Sequence, residues 1–152
     1  MVGAAVPAAA QFTPYTEVAG YTVAQIDASG VCFAATQLTS QANRDMVYTY
    51  YQAQAGQRWH VAGYQDASAL ESATVAVTVS VDGTQALSRE TETREGDFML
   101  PFEALAEIEG LEALIPDGNT MEIAVGDADV LRVPLDDYRA ALGAITACLS
   151  TL

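Results

Sequence analysis

The chain has no lysine, one histidine, one tryptophan and two cysteines in 152 residues. A lone histidine, His60, excludes a histidine-rich metal centre, and two widely separated cysteines cannot supply a four-ligand zinc cage. Cys-x-x-Cys, P-loop, dinucleotide-fingerprint and Gly-x-Ser-x-Gly elements are all missing, so the local signatures of thiol-redox, nucleotide and serine-hydrolase chemistry are absent. No run of about 20 apolar residues occurs, which leaves no candidate for a membrane-spanning helix. These shortages lead us to expect no catalytic residue, no metal and no cofactor.

Positive charge is scarce as well. Twenty acidic residues face six arginines, for a formal net charge of −14. Such a surface repels phosphate backbones, and Arg44, Arg58, Arg89, Arg94, Arg132 and Arg139 are scattered rather than clustered, so nucleic acid is excluded as a partner. Residues 1–80 carry five acids and residues 81–152 carry fifteen. That unevenness reads either as general solubility or as an acidic face for a basic partner. With 51% hydrophobic residues and no polar low-complexity tract, the chain is too apolar for a charge-solvated disordered segment and is expected to fold.

What is present reads mostly as strands. Period-2 alternation with β-branched or aromatic enrichment predicts strands over Tyr21 to Asp27, Val31 to Leu38, Met46 to Gln54 and Trp59 to Tyr64, with turn-forming residues between them. The clearest strand is Thr74 to Val81, where Val75, Val77, Val79 and Val81 share one face ahead of an Asp82-Gly83 turn. "ALSRETETREG" is polar enough for an exposed edge strand and loop, and "DFMLPF" returns to the core. A short helix is expected at about 102–114, closed by "PDGN". "MEIAV" and "VLRVPL" form a hairpin around Gly126-Asp127. A final helix at about 137–149 is expected to be capped by Asp136, with Tyr138, Ala141, Leu142, Ile145, Cys148 and Leu149 on one face. The fold class is therefore α+β, mainly β, an antiparallel sandwich-like sheet in a single domain over residues 11–152.

Residues 1–10, "MVGAAVPAAA", end in the Ala-x-Ala spacing of a signal-peptidase site. They lack a basic n-region and a long apolar core, and read as the tail of an export signal or as a flexible terminus. The two cysteines bear on the same question. Cys32 lies on a strand near the N-terminus and Cys148 on the core face of the last helix, well placed to form a disulfide that persists only in an oxidising compartment. The alternative is two buried thiols acting as small hydrophobes.

The stretches "GYTVAQIDASGVCFAAT" and "VLRVPLDDYRAALGAITACL", with "VAVTVSVDG" and "EALIPDGNTMEIAV" between them, resemble the invasion-associated locus B family of exported alphaproteobacterial proteins. The chain differs from that pattern in carrying Tyr21 where a tryptophan is expected and "TQLT" where Lys-Pro commonly follows the cysteine segment. The resemblance implies a periplasmic or cell-surface β-rich domain without a defined catalytic site.

Three groups of residues remain as candidates for chemistry or contact. A Cys32–His60 nucleophile pair is incompatible with a disulfide at Cys32, and the many carboxylates guarantee chance pairs rather than a glycosidase pair. "PDGN" and "GDAD" offer oxygen ligands but lack calcium-loop spacing, and Asp, Asn and Gly at those positions make tight turns. "VYTYY" and "RWH" put Tyr48 and Tyr50 on one strand face and Tyr51 on the other, so that Tyr48, Tyr50, Tyr51, Arg58 and Trp59 are candidates for core packing or for a partner-binding patch. The expectation is a noncatalytic periplasmic or secreted binding domain whose partner is a protein or cell-envelope component. The alternative is an acidic inhibitor that presents Glu90 to Asp97 to a cationic lysozyme-like enzyme.

Overall fold

The computed structural model describes residues 11–66, 68, 74–94, 97–99 and 105–152. The export-signal reading of residues 1–10 and the start of the expected mid-chain helix, 102–104, lie outside these. In chain order the elements are β1 Phe12–Val18, β2 Tyr21–Ile26, β3 Val31–Thr39, β4 Asp45–Ala53, β5 Arg58–Tyr64, β6 Thr74–Val81, β7 Thr84–Arg94 and β8 Asp97–Met99. Helix α1 Leu105–Leu114, β9 Thr120–Val125, β10 Asp129–Pro134 and helix α2 Leu135–Leu149 follow.

All neighbouring strands pair antiparallel in one ten-stranded sheet of order β1-β2-β3-β4-β5-β8-β7-β6-β9-β10. Tight turns set the register. Asp82 and Gly83 both adopt left-handed φ values, 49° and 86°, the mirror-image turn whose twist matches the flanking strands β6 and β7. The Asp82 carboxylate also accepts the backbone N–H groups of Asn119 and Thr120, so this turn is tied to the start of β9.

Strand β7 is where the sheet turns over. Its first part, to Glu92, pairs with β6, and Thr93 and Arg94 pair with β8. Among the described residues each stretch pairs on one side, and the strand as a whole lies between two others rather than at the edge of the sheet. Glu90 and Glu92 belong to this strand rather than to a loop. Val23, Ala34 and Tyr48 from one half and Val77, Val79 and Ile123 from the other share a single buried cluster, as a sandwich-like arrangement requires. Each such Val or Ile contributes about 1.5–3 kcal/mol relative to exposure.

The last strand of the sheet meets the β3–β5 half at Asp129. Gln41, in the β3–β4 turn, donates its N–H to the Val130 carbonyl of β10 at 2.9 Å. The Asp129 carboxylate, 6% exposed, accepts the Ala42 and Val130 N–H groups and the Tyr64 hydroxyl at 2.8–2.9 Å. Burial alone would raise its pKa, yet hydrogen bonds from Ser40, Ala42, Tyr64 and Val130 together hold it below the usual carboxylate range. Asp129 thus latches β10 to the β3–β5 half.

Helix α2 covers the interior. Leu135, Tyr138, Ala141, Ile145 and Cys148 are buried at helical spacing, and the helix packs on β1, β2 and β3. The helix begins two residues earlier than expected. Pro134, at the N-cap, makes no side-chain cap, and Asp136 instead stands in the first turn, ion-paired with Arg139. Proline lacks a side-chain oxygen to accept the orphan N–H groups, but its fixed φ suits the strand-to-helix turn. Arg139 also donates to the Ile115 and Gly118 carbonyls, fixing α2 to the turn after α1.

Cys32 and Cys148 form the disulfide, with both residues at zero exposure and Cα atoms 6.4 Å apart, inside the range such a bond spans. It joins β3 to the last turn of α2.

Candidate functional site

Strand alternation assigns the five candidate contact residues to different surroundings. On β4, Met46, Tyr48, Tyr50 and Gln52 point toward the core side, while Val47, Thr49, Tyr51 and Ala53 point outward. Tyr48 and Tyr50 are 0% and 3% exposed, which removes them from any partner-binding patch. Arg58 shares their side of the sheet, at its end, where its Nε lies 3.2 Å from Glu112 Oε2.

The inward group is a buried polar-aromatic cluster. Tyr48 Oη lies 2.6 Å from His60 Nδ1, and the Tyr138 ring packs against Tyr48 and Tyr50 at centroid distances of 6.1 and 5.7 Å. Desolvation, aided by the Arg58 charge, pushes the His60 pKa down to about 3, so the imidazole is neutral at physiological pH. Burial, reinforced by neighbouring phenols, holds the Tyr48 phenol protonated. Tyr48 Oη and His60 Nδ1 thus share a hydrogen bond between two neutral groups, its direction set by the imidazole tautomer. With Cys32 committed to the disulfide, His60 has no thiol to activate. The cluster is a hydrogen-bonded part of the core.

The outward group is different. Phe33, Tyr51 and Trp59 stand opposite one another in register across β3, β4 and β5. The Tyr51 and Trp59 rings stack at 5.2 Å with 8° between their planes, Phe33 lies 5.8 Å from Tyr51, and Phe12 of β1 meets Phe33 edge-on at 5.6 Å. An aromatic ladder thus crosses the outer face, ending at Phe12, which is 50% exposed. The sequence reading singled out Tyr51 and Trp59 but not Phe12 or Phe33. The adjacency of Phe33 to an inward-facing Cys32 was the available signal, because neighbours on a strand face opposite ways.

Beside the ladder is a groove of about 250 Å³, lined among others by Val47, Thr49, Tyr51, Val61, Gly63 and Asp97. Its floor depends on a glycine: a Cβ at Gly63 would lie 1.7 Å from Asp97 Oδ1, so the carboxylate occupies the space a side chain would take. Burial, and then the Asp97 charge, raises the pKa of the Tyr51 phenol, which therefore remains an O–H donor. A second depression, of about 440 Å³, lies between the β3–β4 and β9–β10 turns, beside the Asp129 latch.

Among the described residues no three His, Cys, Asp or Glu side chains are grouped to hold a metal ion, and no helix is long and apolar enough to cross a membrane. The turns "PDGN" and "GDAD" serve the chain reversals before β9 and before β10. Fold and site together define a mainly β, disulfide-closed α+β domain with an aromatic ladder and a groove on its outer sheet face. The chain matches no protein-family model, no curated protein and no solved structure.

Proposed function

We propose that the chain is a noncatalytic, exported binding domain of the invasion-associated locus B type, acting in the periplasm or at the cell envelope on a protein or envelope component. The observation that carries the reading is the outer face of β3–β5, where Phe33, Tyr51 and Trp59 line up beside a groove without contributing to the inner core. Aromatic side chains in such positions are the usual anchors of protein contacts. Export is supported by the buried Cys32–Cys148 disulfide, since such bonds persist in oxidising compartments. The test is a pull-down from envelope extract that compares wild type with Tyr51→Ala combined with Trp59→Ala. The reading expects a partner recovered by wild type and lost with the double variant; equal recovery by both would contradict it.

A further inference from the structure

The groove differs chemically from end to end. Asp97 shares a rung with Gly63 and Val47, whereas Tyr51 shares one with Trp59. Val47 and Tyr51 are four residues apart on β4, so an acidic end and an aromatic end are separated by about 13 Å of extended strand. Thr49 and Val61, paired in register between them, make the intervening floor uncharged. No outward-facing residue of β2–β5 is cationic, and the chain as a whole carries −14. A carboxylate packed over a glycine at one end of an uncharged floor is matched by one side chain above others. Arginine has a planar guanidinium that forks onto a carboxylate, together with an apolar stem suited to Thr49 and Val61. Lysine offers a point charge without the planar face.

We propose that this groove receives an arginine side chain from a basic segment of the protein partner, with the guanidinium on Asp97 and the stem running toward the Tyr51–Trp59 stack. The proposal rests on the binding-domain reading above and names the chemistry of the partner. Arg94 stands in register opposite Asp97 across β7 and β8, so its positive charge opposes an incoming guanidinium. This opposition of charge makes a distinctive forecast: removing Arg94 strengthens the site, and removing the Asp97 charge weakens it.

Trp59 is the sole tryptophan, so intrinsic fluorescence reports directly on this face. The test titrates the full, oxidised chain with a capped hexapeptide of alternating valine and arginine, alongside matched lysine and glutamate peptides. Expected are a saturable Trp59 signal for the arginine peptide, affinity lowered about tenfold by Asp97→Asn, and affinity raised by Arg94→Ala. Gly63→Ala, which displaces the carboxylate, weakens binding in the same direction, and its fold is checked by circular dichroism. Because Asp97→Asn leaves the backbone and the side-chain volume in place, the test does not depend on Gly63→Ala folding. No saturable signal, equal affinity for Asp97→Asn and wild type, no gain with Arg94→Ala, or equal affinity for the lysine peptide would each overturn the assignment. If the peptide fails while the pull-down still yields a partner dependent on Tyr51 and Trp59, the arginine subsite falls and the binding-domain reading stands.

Discussion

Acidification should unfold this protein partly through one residue. His60 is 4% exposed and its pKa in the fold is about 3, against about 6.5 in an unfolded chain. The folded state therefore holds the imidazole neutral, and between these two values the unfolded state binds the extra proton. The sign follows: the His60 contribution is fully present above pH 6.5, declines as pH falls, and is exhausted near pH 3. The slope is about 1.4 kcal/mol per pH unit, so lowering pH from 6.5 to 4.5 removes about 2–3 kcal/mol. That is a large share of a stability that for such domains is about 5–15 kcal/mol. With a urea m-value of about 2 kcal/mol/M, the midpoint drops by about 1 M or more. Carboxylates titrate in the same range and act through the −14 net charge, so the comparison needs His60→Gln, which keeps a polar donor and acceptor for Tyr48 but cannot gain a proton. Urea unfolding of both proteins at pH 7.5 and 4.5 isolates the difference. The reasoning fails if the two lose the same stability on acidification, because His60 would then be titrating as an exposed imidazole does.

Two other perturbations follow from the geometry. Replacing both Cys32 and Cys148 by alanine opens a loop with a sequence separation of 116, and the chain-entropy relation puts the cost at about 4–5 kcal/mol, read by calorimetry as a fall of about 10–20 °C in Tm; a change of a degree or two would show that the bridge does not constrain the unfolded chain. Tyr64→Phe removes one of the hydrogen bonds that hold the buried Asp129 latch, and should cost about 1–3 kcal/mol in urea unfolding, with the Asp129 pKa measured by NMR moving upward; an unmoved pKa would count against the latch.

The strands from Tyr21 to Tyr64 and from Thr74 to Val81 were legible because one side of each is buried, so alternation in the sequence mirrors alternation in space. The β9–β10 hairpin and the core face of α2 were legible for similar reasons, as was the pairing of the two cysteines. Strand β1 was not. Its residues are almost all exposed, Pro14 interrupts the pattern, and the pairing register shifts between Pro14 and Thr16, so there was no hydrophobic alternation to read. The start of α2 was misplaced because Asp136 has the chemistry of a cap, whereas Pro134 already makes the turn through its own backbone. At the candidate site, the sequence showed that "VYTYY" divides between two faces but not which face is interior. That choice belongs to tertiary packing: Tyr138, distant in sequence, fills the space against Tyr48 and Tyr50. The groove was invisible for the same reason, since it requires β8 to lay Asp97 beside Gly63 of β5, a pairing no local pattern encodes.

The reading of an exported, disulfide-closed domain is tested most directly by counting thiols in protein taken from its native compartment. Material alkylated during lysis without reductant, then analysed by mass spectrometry, is expected to show Cys32 and Cys148 linked and unmodified in essentially every molecule. Quantitative alkylation of both cysteines would contradict it.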